Sequence, residues 1–136
     1  MTSSTHSPET CNGMLKNILL VGLGGGLGSM LRYGAGLAFD SRQFPLATLF
    51  VNITGSFIMG LILAAAVRDQ AFADNWKLFL ATGVCGGFTT FSAFSAENLL
   101  LLQNGRFSIA FLYIGISIIA GIGAAWLGFK LFNLNS

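Results

Sequence analysis

With 136 residues, 54% of them hydrophobic and only 9% charged, the chain reads as one domain that is too apolar for a water-soluble globule of its size. A net charge of +2, scattered along the sequence, leaves no electrostatic footprint for nucleic acid. Cysteine and histidine are equally uninformative for metals or disulfides: His6 and Cys11 lie in the polar first stretch, and Cys85 lies inside an apolar run.

The first residues, 1–13, are polar and rich in Ser and Thr, without the basic and cleavable pattern of a signal peptide, and are expected to be a disordered tail. Met14 offers a second possible start. From there to residue 136 the chain is expected to be a single all-α membrane domain. Its four apolar runs, about 15–39, 44–67, 76–102 and 107–132, each exceed the roughly 20 residues that a spanning helix needs. The joints, Asp40 to Gln43, Arg68 to Asn75 and Gln103 to Arg106, are too short to hold a soluble domain.

Span one carries Gly22, Gly24, Gly25, Gly26 and Gly28 before Arg32-Tyr33. A dinucleotide fingerprint would need a strand, a turn and a helix around these glycines, so close packing of membrane helices is the better reading. Arg32 either snorkels to the interface or raises the anion concentration in a vestibule. Span two repeats Thr48, Asn52 and Ser56 at intervals of four, which places a polar stripe on one helix face. The Asn52 carboxamide can bind an anion or simply join helices.

Span three is the unusual one, with Gly83, Gly86 and Gly87 followed by Thr89 and Thr90 and interleaved with Phe88, Phe91 and Phe94. The pattern predicts a helix broken near Gly86–Thr89, with freed carbonyls able to hold a cation and a second half-helix starting near Thr90 to Ser92. The three rings are spaced as one row, a pattern that also serves plain packing. Glu97, the only acid deep in any span, is either a proton or cation carrier or is bonded to neighbouring hydroxyls. Span four adds Tyr113 and Ser117 on one face; Tyr113 is an interfacial aromatic or lines the same path as Ser117.

One end of the bundle collects Lys16, Arg68, Lys77 and Lys130, and the other Arg32, Arg42 and Arg106. That bias is a weak instruction for orientation. The chain either inserts one way or both ways, and insertion both ways would permit an antiparallel homodimer about an axis in the membrane plane.

Taken together, Gly24 to Tyr33, Thr48 to Phe57 and Gly83 to Ser95 resemble the CrcB/Fluc fluoride channel family, from about Met14 to the end. The resemblance implies a multi-pass protein of the bacterial cytoplasmic (inner) membrane, an antiparallel dual-topology homodimer with two pores. Fluoride would leave the cytoplasm through it passively, which protects against fluoride toxicity. It also implies that Phe91 and Phe94 offer ring edges to fluoride and that Asn52 donates to it. Thr48, Ser92, Tyr113 and Ser117 would complete the pore lining, and Arg32 would sit in the vestibule. Carbonyls of Gly86 and Thr89 would hold a structural Na+ at the dimer axis. Gly121 stands where a further hydroxyl would extend the fourth helix's polar track. The rival is a proton-coupled exporter of the small multidrug resistance type. It would need a titratable acid in span one, and Glu97 is the available substitute. No nucleophile, base and acid can be assembled into an enzyme site.

Overall fold

The computed structural model describes residues 8–39 and 44–134. The expected tail up to Ser7, with His6, and the expected joint Asp40 to Gln43 lie outside the described residues. Helix α1 spans Pro8–Ala38, so the latter part of the expected tail continues the first span as helix. Helix α2 covers Leu46–Arg68. The expected joint that follows is itself mostly helical: α3, Gln70–Lys77, starts after Asp69, whose carboxylate accepts the Phe72 N–H at 3.3 Å as an N-cap.

A π-helical segment, Leu78–Cys85, leads into the single turn α4, Gly86–Phe88. Thr89 and Thr90 are both extended, at φ −75°, ψ 156° and φ −151°, ψ 116°. Helix α5 then runs Phe91–Gln103 and α6 Phe107–Leu134. The turn between them is closed by Gly105 at φ 72°, with Arg106 N–H on the Leu101 carbonyl at 2.8 Å and Gly105 N–H on Leu102 at 3.0 Å. That paired bonding needs a left-handed residue just past the helix, which glycine adopts without a Cβ penalty. The Arg106 carbonyl accepts Ala110 N–H and opens α6, so the two helices form a fixed hairpin.

Among the described residues, four stretches are long and apolar enough to cross a membrane: Cys11–Ala38, Leu46–Arg68, Leu78–Gln103 and Phe107–Leu134. They pack as two pairs. Helices α2 and α6 make the most extensive contact, and α1 lies along the π segment and α4; among the described residues α1 touches neither α5 nor α6. Glycine allows the close approach in both pairs. A Cβ on Gly28 would strike the Val84 carbonyl and approach Phe88 N at 2.7 Å, while one on Gly83 would reach Gly24 Cα at 2.9 Å. Gly128 meets the Phe57 carbonyl in the same way across α2 and α6. Lipid tails give helices no hydrophobic reason to associate, so backbone proximity and dispersion must hold these pairs together.

Two small cores result. Ile62, Ala81 and Cys85 form one toward the end of α2, and Leu101, Ala110 and Tyr113 form the other toward its start. Asn52 and Gly55 lie on α2 between them, beside the extended threonines.

The glycine contacts yield a direct comparison. Gly28→Ala meets immovable backbone and should lose about 1–3 kcal/mol, whereas Gly22→Ala, with open space around it, should be neutral or slightly stabilising. Thermal unfolding of the purified variants in detergent checks this, and equal midpoints would remove the packing role assigned to Gly28.

Candidate functional site

Extended backbone in mid-span leaves N–H and C=O groups without helical partners. Asn52 answers for Thr90: its Oδ1 accepts the Thr90 N–H at 2.9 Å, and its Nδ2 donates to the Thr90 carbonyl at 3.3 Å. The Thr90 hydroxyl in turn caps α5 by accepting the Ala93 N–H at 3.2 Å, and lies 3.2 Å from the Ser92 hydroxyl. Thr89 closes the other side, its Oγ1 donating to the Cys85 carbonyl at 2.9 Å.

This bonding has a consequence for the carbonyls before the threonines. In an unbroken helix, Thr90 N–H would bond Gly86 and Ala93 N–H would bond Thr89. Here those donors turn to Asn52 and to the Thr90 hydroxyl, so the carbonyls of Gly86 and Thr89 lose their α-helical partners. The glycines themselves stay helical.

Beside the threonines a cavity of about 340 Å³ is lined by Asn52, Gly55, Ser56, Thr89, Thr90 and Phe91, among others. Phe91 is 80% exposed, while Phe94 is half-buried with its ring centroid 5.8 Å from that of Phe91 and 5.1 Å from that of Tyr113. Phe88 lies before the threonines, and its ring edge packs against Gly55 of α2. The extended pair separates it from the other two rings.

A second cavity of about 210 Å³ brings Arg32 of α1 together with Thr48, Thr90 and Glu97. Of the two roles open for Glu97 from sequence, the bonded one is realised: Thr48 Oγ1 donates to its Oε1 at 2.6 Å and Tyr113 Oη to its Oε2 at 2.8 Å. One carboxylate thus ties α5 to both α2 and α6. Tyr113 is fully buried at 0% exposure, in a core position that differs from an interfacial aromatic. Ser117 has a buried hydroxyl with no hydrogen-bond partner and borders neither cavity.

Sequence reasoning did not single out Thr90 as the cap, or Asn98. The latter is buried, donates to the Phe94 carbonyl at 2.8 Å and keeps its Oδ1 without a partner. Only the four-residue spacing from Phe94 hinted at that bond.

The family model described as CrcB-like protein, Camphor Resistance (CrcB), matches residues 19–129. This chain belongs to the CrcB-like family. Among its relatives, a fluoride-specific ion channel FluC of Azobacteroides pseudotrichonymphae is 46% identical over 121 residues, covering 87% of this chain and 97% of the relative. The fluoride-specific ion channel FluC of Thermus thermophilus is 48% identical over 120 residues, or 86% of this chain and 95% of the relative. A third, the fluoride-specific ion channel FluC 1 of Listeria innocua, is 44% identical over 121 residues, with 87% and 98% covered. The CrcB-like match takes in α2, the π segment, α4 and α5 whole, and so both cavities.

The Glu97 bridge makes a measurable claim. Tyr113→Phe leaves one carboxylate oxygen without its donor in an apolar setting and should cost about 1–3 kcal/mol. Combined with Glu97→Gln it should cost clearly less than the sum of the two single changes. Thermal unfolding of all four proteins measures the coupling, and strict additivity would dissolve the bridge.

Proposed function

We propose that the chain is a fluoride-selective channel of a bacterial cytoplasmic membrane, which lets fluoride leave the cytoplasm passively and so protects against its toxicity. The names of the relatives give the ion. The observation in the structure that carries the reading is the Asn52 carboxamide, held at the edge of a cavity with hydroxyls and an exposed phenylalanine around it. Fluoride is small and strongly hydrated, so its path must replace water with several short-range donors without a deep cationic trap. Asn52 has two amide hydrogens and gives one to Thr90, which leaves the other for an anion. Ring edges of Phe91 and Phe94 add positive quadrupole edges, and the hydroxyls of Thr48, Ser92, Tyr113 and Ser117 continue the set. Arg32 concentrates anions at the mouth. Outward flow then needs no coupling, because a negative interior drives an anion out with ~2.3 kcal/mol per charge per 100 mV.

The working unit in this proposal is an antiparallel homodimer with two pores. Helix α5 supports it: among the described residues it contacts only α6 and, sparsely, α2, and it leaves Phe91, Leu99 and Leu100 exposed. A second copy would cover that face. The freed carbonyls of Gly86 and Thr89 fit a structural Na+ at the dimer axis, since an oxygen-only, uncharged donor set suits a hard monovalent cation. Bound there, the ion would supply the positive charge that holds four such carbonyls, two from each copy, close together.

The exporter reading needed Glu97 as a mobile carrier, but both of its oxygens are engaged by Thr48 and Tyr113. Channel activity also leaves no catalytic step for the chain to perform.

Asn52→Asp keeps an acceptor for the Thr90 N–H but loses both amide donors and adds a negative charge. We expect it, and Phe94→Ile, to lower fluoride efflux from liposomes at least ~100-fold, by analogy with the loss of about 2.7–4 kcal/mol on removing one preorganised donor, with dimers in detergent intact. An ion-selective electrode reads the flux; near-normal rates from both variants would end the pore assignment.

A further inference from the structure

A third cavity lies between the start of α1 and the start of the third span. It has a volume of about 420 Å³ and is lined by Lys16, Leu20, Trp76 and Phe79. Its chemistry is ordered along its depth. Lys16 and Trp76, both exposed, belong to the ends of their spans, and Leu20 and Phe79 lie one turn further in. Trp76 meets the Phe79 ring edge to face, with centroids 6.3 Å apart and planes at 77°, so one rigid aromatic wall runs from mouth to interior.

The surroundings show which phase the cleft faces. Leu15, Ile18, Leu19 and Leu23 of α1 are all exposed, so the α1 side of the cleft is set in an apolar surface of the kind that faces lipid in a membrane-spanning helix. Its mouth is at the end of the bundle that carries Lys16, Arg68, Lys77 and Lys130. A cation and an indole at the level of the headgroups above a wholly apolar slot match one kind of molecule.

We propose that this cleft is a binding site for an anionic phospholipid. The phosphate sits against the Lys16 ammonium and the Trp76 indole N–H, and an acyl chain lies between Leu20 and Phe79. Lysine suits the task as a compact point charge on a flexible stem that can follow a mobile headgroup. A helix of a second copy is the poorer occupant, because burying the Lys16 charge carries a large desolvation cost unless an acid of that copy meets it. The site is independent of the pore, since the cavity shares no residue with the two around Asn52 and Glu97.

Trp126→Phe leaves Trp76 as the only tryptophan, one of two in the chain, and turns it into a reporter. The full-length variant is reconstituted into phosphatidylcholine vesicles with a minor fraction of brominated lipid, either phosphatidylglycerol or phosphatidylcholine. Brominated phosphatidylglycerol should quench Trp76 severalfold more strongly. Lys16→Gln should abolish that preference and Lys16→Arg should keep it. Lys130→Gln should leave it unchanged, because α6 makes no contact with α1 among the described residues. Equal quenching by the two lipids would overturn the proposal, as would absence of quenching by both, the result expected if a second copy covered the cleft. A preference that Lys130→Gln removes as fully as Lys16→Gln would reduce it to diffuse surface attraction. Relief by added inorganic phosphate would assign the site to a soluble anion instead.

Discussion

Peptide groups that leave a helix inside a bilayer must find partners within the protein, because lipid offers none and each orphan costs several kcal/mol. At Thr90 the partners are side chains: Asn52 for both Thr90 backbone groups and the Thr90 hydroxyl for Ala93, while the Thr89 N–H keeps its helical bond to the Cys85 carbonyl and the Thr89 hydroxyl adds a second bond there. A carboxamide carries its acceptor and its two donor hydrogens on separate atoms, so it can accept from the N–H and donate to the C=O of one residue and still have a hydrogen to spare. The extended geometry of the third span therefore depends on a residue of the second. Gly55, one turn along α2 from Asn52, keeps the helices close enough, since a Cβ there would strike the Thr89 methyl.

That arrangement divides the third span into halves with different neighbours. Its first half is held by glycine contacts to α1, and its second half by the α5 and α6 hairpin and the Glu97 bridge. The first half is close-packed backbone on backbone, whereas α5 has a bare outer face. Such a face costs a membrane protein little when lipid covers it, so exposure by itself does not demand a partner. Its position beside freed carbonyls and the Asn52 cavity gives a second copy something to complete.

The four spans were legible in the sequence because length and apolarity decide them almost alone, and the Gln103 to Arg106 joint was legible as the short polar break between two of them. Helix α3 was not, because a polar stretch between spans looks like a loop until Asp69 is recognised as a cap for the residues after it. The glycines of span three drew attention for the wrong reason. Gly83 and Gly87 serve contact with α1, and the extended residues are the threonines, whose hydroxyls provide the alternative bonds that a helix interior ordinarily resists. Spacing placed Thr48 and Asn52 on one face, but it could not reveal that they answer to different partners on α5 and at its start. Those partners come from fold geometry, as does the meeting of Tyr113 with Glu97 across two helices.

A carboxylate beside an anion path looks contradictory until its bonds are considered. Each hydroxyl has a single proton, and those of Thr48 and Tyr113 point at Glu97. In the proposed channel, a passing fluoride must compete with Glu97 for the same hydrogens, and Arg32, which borders the same cavity, offsets part of the repulsion between them. Competition of this kind keeps each donor from holding the ion too firmly: when fluoride leaves, the hydroxyl returns to the carboxylate instead of remaining unsatisfied in an apolar setting. Moderate binding with a ready internal substitute is what fast release of a strongly hydrated ion requires.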